Sequence, residues 1–191
     1  MSESRDDPDI FWVDPRMRGI FPLDRFRISR SLGRTMRRGH LRVTVDRDFE
    51  GVVRGCADRD DTWINPTIHA LYLDLYLQGH AHAIEVWQDD KLVGGVYGIC
   101  IGAAFFGESM FSRATDASKV ALAHLVDMLR RGGFQLFDTQ FLTPHLQSLG
   151  AVEIPRARYH RLLAQAVVQS ATFPSEVSST MDVIQRNTQT S

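Results

Sequence analysis

The stretch from residue 82 to residue 111 limits what this chain can fold into more than any other. Its apolar residues come in blocks too short for helices and separated by turn residues. Residues 82–87 read as a strand, Asp89 and Asp90 as a turn, and residues 92–101 and 103–111 as two further strands. The longest apolar run, 92–106, is broken by glycines and falls well short of the roughly 20 residues that a bilayer-spanning helix needs. The period then changes. Ala121, Leu122, Leu125 and Leu129 share one helical face, with Asp116 or Ser118 to cap the helix and Gly132 and Gly133 to stop it. A strand at 134–139, a short helix near Leu146, a strand at 151–154 and a helix from Arg156 to about Val168 complete a mixed α/β body.

Ahead of residue 80 the pattern differs. Residues 29–38 predict an arginine-rich helix and residues 41–45 a strand. Residues 66–78 predict a second helix, with Asn65 as N-cap, Pro66 at its first position, an apolar stripe of Ile68, Leu71, Tyr72 and Leu75, and Gly79 as its end. Residues 169–191, rich in Ser, Thr and Gln, predict a disordered tail. The division is therefore 1–79 as a basic N-terminal domain, 80–168 as an α/β domain and 169–191 as tail. Three antiparallel strands, a helix, then strand, helix and strand is the order of the later part of an acetyltransferase-like (GNAT-like) α/β sandwich, although folds host many chemistries.

Composition narrows the class. With 43% hydrophobic residues among 191, the chain can build a core. Residues 1–8 are polar and acidic, unlike a signal peptide. Cys56 and Cys100 have neither disulfide-framework density nor metal-ligand spacing, which fits a reducing cytosol, so a cytoplasmic protein with no membrane partner is expected. The net charge of −1 hides an asymmetry: 20 of the 22 basic residues are arginine, and eight of them lie between Arg25 and Arg47, opposed in that window only by Asp46. The segment carries a local positive field.

Four segments hold residues capable of chemistry, each with a plainer reading beside it. Arg30, Arg34 and Arg37 recur at helical spacing with Arg38 beside them, a face suited to nucleic acid phosphates or simply to solvent. Glu108 interrupts an apolar strand, where a carboxylate needs a cation, a donor or a substrate amine; an ion pair with Arg113 or Lys119 would also serve. Asp138 and Gln140 follow an apolar run and, on an extended chain, point to one side with Thr139 facing away. They suit the orientation of an amine or carbonyl, or the satisfaction of loop backbone before Pro144. His80 and His82 could ligate one metal by spacing, but no third ligand has a recognisable spacing, so no metal site is expected.

Taken together these segments resemble the leucyl/phenylalanyl-tRNA-protein transferases, bacterial enzymes that create destabilising N termini for N-end rule proteolysis. The resemblance runs from about residue 9 to residue 163. It is carried by Phe-Trp-Val-Asp-Pro-Arg (11–16), Ile-Ser-Arg-Ser (28–31), Thr-Trp-Ile (62–64), Gly-His-Ala-His-Ala-Ile-Glu-Val-Trp (79–87), Leu-Val-Gly-Gly-Val-Tyr-Gly (92–98), Gly-Glu-Ser-Met-Phe-Ser-Arg (107–113), Asp-Thr-Gln (138–140) and Ser-Leu-Gly-Ala-Val-Glu-Ile-Pro-Arg (148–156). It implies a small N-terminal α+β domain packed on an acetyltransferase-like α/β domain, with no coenzyme A or other cofactor. It implies transfer of Leu, Phe or Met from aminoacyl-tRNA to acceptor proteins beginning with Arg or Lys. Glu108, Asp138 and Gln140 are then expected around the reacting ester and amine, and the arginine stripe on the tRNA acceptor stem. Trp63 and Tyr72 match positions near the terminal adenosine, where aromatic faces can stack a base. Val96, Phe105, Leu122, Leu125 and Leu129 match or adjoin the aminoacyl side-chain pocket, or pack the core. Family members carry an upstream segment ending in Gly-Ile-Phe-Pro whose aromatics help to hold the aminoacyl-adenosine; this chain is expected to start just after it, an expectation that its own Gly19-Ile20-Phe21-Pro22 overturns.

Aminolysis of an activated ester is downhill, so such an enzyme mainly positions the amine and stabilises the oxyanion. With an ordinary pKa of about 3.9, Asp138 is a feeble acceptor for an amine proton, and orienting Gln140 suits it better. A coenzyme A-dependent N-acyltransferase is the competing reading; it needs a Gln/Arg-x-x-Gly-x-Gly/Ala loop, and residues 147–152 fail at the last position. A non-enzymatic RNA-binding module leaves Glu108 and Asp138 unexplained.

Overall fold

The computed structural model describes residues 4, 9–10 and 12–189; the acidic start, residues 1–8, lies outside them apart from Ser4. The expected hairpins form the centre of one sheet. Strand β3 (Ala81–Gln88) turns through Asp89 and Asp90 into β4 (Lys91–Ile101). Both aspartates have positive φ, 47° and 59°, as a two-residue turn matched to strand twist requires. Strand β5 (Ala104–Ser112) pairs antiparallel with β4, helix α4 (Ala117–Arg131) crosses over, and β6 (Leu136–Gln140) returns parallel to β5. This is the strand–helix–strand order expected of the acetyltransferase-like body. Asp116 sits at the N-cap of α4 but makes no side-chain capping bond.

The sheet does not stop at residue 80. Two strands from the front part, β1 (Met17–Ile20) and β2 (Arg42–Val45), join it with β7 (Val152–Pro155) in the order β2-β3-β4-β5-β6-β1-β7. The expected boundary at 79/80 therefore divides helices and loops, while one sheet runs through both parts. The reason is pairing: β2 lies along β3 with Arg42 opposite Trp87, and β1 fills the gap between β6 and β7.

Alternation along the strands sends neighbouring residues to opposite faces. Ile84, Val86, Val96, Phe105 and Phe137 pack with α4 and with helix α1 (Arg30–Arg37) in the largest cluster. Ala83 and Tyr97 pack with helices α2 (Phe49–Ala57) and α3 (Pro66–Leu77). The expected Asn65 cap and Pro66 start of α3 are present. So is its end at Gly79 (φ 76°), whose N–H bonds to Tyr76 O while His80 N–H reaches Leu75 O. Helix α5 (Pro144–Ser148) lies near Leu146 as expected, and α6 (Arg156–Ala166) covers β1, β6 and β7. Among the described residues no helix is long and apolar enough to cross a membrane.

The tail departs from expectation. Instead of being disordered, residues 169–189 run back across the α4 face and end in helix α7 (Thr180–Thr188). Ala171, Phe173, Val177, Val183 and Ile184 are spaced among polar residues, and all pack into the largest cluster. That buried apolar surface offsets the cost of ordering the segment.

Candidate active site

Glu108 owes its direction to a bulge. Tyr97 faces Ser109 across β4 and β5 while Gly98 faces Gly107, so Glu108 is the extra residue and its side chain is re-aimed. Glycines are needed there, because a Cβ on Gly98 would collide with the Phe106 carbonyl oxygen and one on Gly107 would lie 2.8 Å from the Phe137 ring. Arg113 pairs with Asp58 and Lys119 with Asp116, so neither serves Glu108. Instead its Oε2 accepts the Tyr72 hydroxyl at 2.7 Å and the Gln140 side-chain amide at 3.4 Å. Burial pushes the Glu108 carboxyl up, the Tyr72 hydrogen bond pulls it down, and the Asp138 charge adds to the rise. Burial, with the Glu108 charge and hydrogen bond, likewise raises Tyr72, which stays a phenol donor.

Asp138 and Gln140 do not face a substrate side by side. Asp138 is fully buried, held by Arg18 Nη2 at 2.6 Å and Nε at 3.0 Å and by the Tyr159 hydroxyl at 2.6 Å. Its Oδ1 also accepts the Gln140 backbone N–H at 2.7 Å. Gln140 leaves the extended conformation, with φ 60°, and turns its amide towards Glu108. Asp138 thus fixes the backbone of Gln140 and does not itself reach a cavity. Burial works against the Arg18 charge, but the hydrogen bonds and charge of Asp138 outweigh it and hold the guanidinium protonated. Tyr159 is raised by burial and by Asp138. Sequence reasoning missed Arg18 and Tyr159; the one available signal was that a buried aspartate demands a cation.

Two cavities meet at Trp63, Glu108 and Gln140. The first, of 410 Å³, is bounded by Trp12, Leu71, Tyr72, Ile99 and Phe106, with Arg18 at its wall. The second, of 350 Å³, is bounded by Val96, Met110, Leu122, Phe137 and Leu146. Trp63 and Tyr72 lie edge to face with ring centroids 6.3 Å apart. Of the five residues expected at the side-chain pocket, Val96 and Leu122 line the second cavity. Phe105, Leu125 and Leu129 are buried in the core cluster and do not line it, because they pack into the interior of the α4 layer. Met110, Phe137 and Leu146, which were not expected there, line the second cavity in place of Phe105, Leu125 and Leu129.

Arg30, Arg34, Arg37 and Arg38 are exposed on α1 and its C-cap, with Leu32 and Met36 buried beneath them. Among the described residues none of the four forms an ion pair with an acidic side chain. His80 is exposed, whereas His82 bonds Asp46 at 2.7 Å and stacks on Phe173 at 4.2 Å.

The family model described as Leucyl/phenylalanyl-tRNA protein transferase matches residues 20–164. The leucyl/phenylalanyl-tRNA-protein transferase of Cereibacter sphaeroides is 66% identical over 193 residues, taking in 100% of this chain and 90% of that protein. That of Ruegeria pomeroyi is 65% identical over 192 residues, with 100% and 91% covered. Among solved structures, L-PGS from Bacillus licheniformis is 15% identical, with a TM-score of 0.44 over 69% of this chain and 50% of that one; at that level the likeness bears on neither chemistry nor ligand. With a family match over most of the sequence, and relatives this similar over all of it, the chain belongs to the leucyl/phenylalanyl-tRNA-protein transferase family and is a transferase.

Proposed function

We propose that this chain moves leucine, phenylalanine or methionine from aminoacyl-tRNA onto the N-terminal Arg or Lys of acceptor proteins in the cytoplasm, marking them for N-end rule degradation. The observation that carries this reading is the shared wall of the two cavities, Trp63, Glu108 and Gln140, which sets one carboxylate and one amide between two spaces. The 350 Å³ cavity receives the donor side chain. Apart from Arg59 and Glu108 its lining is uncharged and largely apolar, which tolerates differences of size at about 1–3 kcal/mol per methylene but disfavours an unpaired charge. The 410 Å³ cavity, with Trp12, Trp63 and Tyr72, receives the terminal adenosine and the approaching amine.

In the reaction the acceptor nitrogen bonds to the ester carbonyl carbon. The bond from that carbon to the terminal ribose oxygen breaks, and the amine proton ends on that oxygen. Because the Gln140 NH2 points to Glu108, its carbonyl oxygen is turned the other way and accepts a hydrogen bond from the amine, aiming the lone pair at the ester. Among the described residues both donors to Glu108 use Oε2, and Oε1 then faces a cationic group of the acceptor. Asp138, with Arg18 and Tyr159, positions Gln140. Positioning of this kind lowers a barrier by roughly 7–11 kcal/mol.

One assay tests the reading: leucyl-tRNA is incubated with peptides that begin with Arg, Lys or Gly, and acetyl coenzyme A serves as a control donor. Leucine should appear on the Arg and Lys peptides only. Transfer of acetyl alone, or equal labelling of the Gly peptide, overturns it.

A further inference from the structure

Helix α1 is held on its buried side by Leu32 and Met36 in the core and by Thr35 Oγ1, which donates to Asp116 Oδ2 at 3.0 Å, but little in its own sequence steadies it. It has eight residues, no acidic residue in its first turn, and arginines at 30, 34 and 38 that repel one another at spacings of four. A further hold comes from the other end of the chain, beside the Arg27 N–H bond to Leu149 O at 2.9 Å. The buried Asn187 of α7 donates its amide N–H to Phe26 O at 2.9 Å and accepts the Ile28 N–H at 3.2 Å, pinning the backbone on both sides of Arg27, just ahead of the Ser29 cap. Helix α7 is in turn tied to α4. Arg186 Nε and Nη2 reach the two oxygens of Asp127 at 2.7 and 3.0 Å, and Asp127 also accepts Ser178 Oγ at 2.9 Å and Arg131 Nε at 3.2 Å. Ile184 and Thr188 then form one wall of a 420 Å³ groove whose other wall carries Arg30, Arg34 and Arg37.

We propose that α7 is a positioning element for the tRNA-binding face, with Asn187 as the residue through which it sets the angle of α1. The inference rests on the reading of α1 as the surface that meets tRNA phosphates. A two-sided backbone clamp from a side chain 159 and 161 residues away in sequence is a long-range device, and it joins the C-terminal strap to the segment that leads into the arginine helix. Phosphate contacts depend on several cations matching the spacing of one backbone, so a tilt of α1 weakens them together, whereas neither cavity takes a lining residue from α1 or α7.

The test compares two donors in the full chain. Asn187→Ala should raise the Kd for tRNA by about tenfold and flatten its dependence on salt. Transfer from phenylalanyl-adenosine, too short to reach α1, should keep its rate within about twofold of the unaltered chain. Arg186→Ala, which frees α7 from Asp127 without touching the Phe26 and Ile28 bonds, should shift the two readouts in the same unequal way and serves if the first variant does not fold. An unchanged tRNA Kd in the folded variants, or equal losses with the long and the short donor, overturns the proposal. The triple change of Arg30, Arg34 and Arg37 to Ala separates the two ideas. If it leaves tRNA binding intact, the reading of α1 falls and the proposal with it; if it weakens binding while Asn187→Ala does not, the proposal alone falls.

Discussion

Asp138 is completely buried, and three donors converge on it: the Arg18 guanidinium, the Tyr159 hydroxyl and the Gln140 backbone N–H. With its oxygens so occupied it acts through Gln140, so Asp138→Asn should lower kcat for transfer well below that of the unaltered chain while the tRNA KM stays nearly constant, and Gln140→Ala should do the same. Matching changes in kcat and KM would make the pair structural. Removing Arg18 leaves the carboxylate unpaired, and Arg18→Met should destabilise the fold by about 3–5 kcal/mol in urea unfolding. Glu108 yields a pH test. Its carboxyl is raised in the folded chain, so as pH climbs from about 4.3 the unfolded chain gives up the proton first and stability falls. Glu108→Gln removes that loss, so the variant's stability relative to the unaltered chain should grow from acid to neutral pH even as transfer is lost; a constant difference refutes the assignment. Glu108, Asp138 and Gln140 were legible in the sequence because polar groups in apolar strands stand out. Arg18 was not, since its partner lies 120 residues away and nothing local marks one arginine among 20 as the buried one.

The elements that were legible are those with a strong period or punctuation. The β3–β4 hairpin has its Asp89-Asp90 turn, α3 has Asn65, Pro66 and Gly79, and α4 has its leucine face. Strand β1 was missed because four residues carry no period, and only the groove between β6 and β7 makes it a strand. Helix α2 was missed although Phe49, Val52, Val53 and Cys56 have helical spacing, since two glycines in nine residues mask it. Face was the harder question within α4, where sequence spacing groups Leu122 with Leu125 and Leu129. Only Leu122 reaches the cavity beside Glu108. Leu122→Ala should therefore enlarge that space and move the rate ratio of phenylalanyl-tRNA to leucyl-tRNA upward. Leu125→Ala should leave the ratio unchanged and cost about 2–5 kcal/mol of stability. Equal shifts in both variants would place the donor pocket elsewhere.

At the scale of the whole molecule, the polar composition of residues 169–191 concealed a strap whose apolar residues are too sparse to show a period, and that strap makes α4 the most enclosed helix of the fold. Enclosure has a consequence at His124, which is buried on α4 with neither ring nitrogen hydrogen-bonded among the described residues. Burial pulls its pKa down to about 4; the Asp127 charge opposes the fall and Arg131 adds to it. In the unfolded chain the same ring titrates near 6.5. As pH drops below 6.5 the unfolded state therefore takes up a proton that the folded state refuses, and stability declines until the folded ring also titrates near 4. The loss over that window is on the order of 3 kcal/mol. Asp127 acts in a lower window. Burial raises its carboxyl, but the hydrogen bonds of Arg186 and Ser178 outweigh this and hold it low, so its contribution is present above the ordinary aspartate value and is lost only as pH falls further. The two losses are separable by mutation. His124→Leu keeps an apolar side chain of similar size and should abolish the decline between about pH 6.5 and 4 while leaving the collapse below it; Asp127→Asn should do the reverse. Urea midpoints measured across the range decide the matter. If His124→Leu retains the full slope above pH 4, the burial of a neutral ring at that position is not what limits the fold in mild acid.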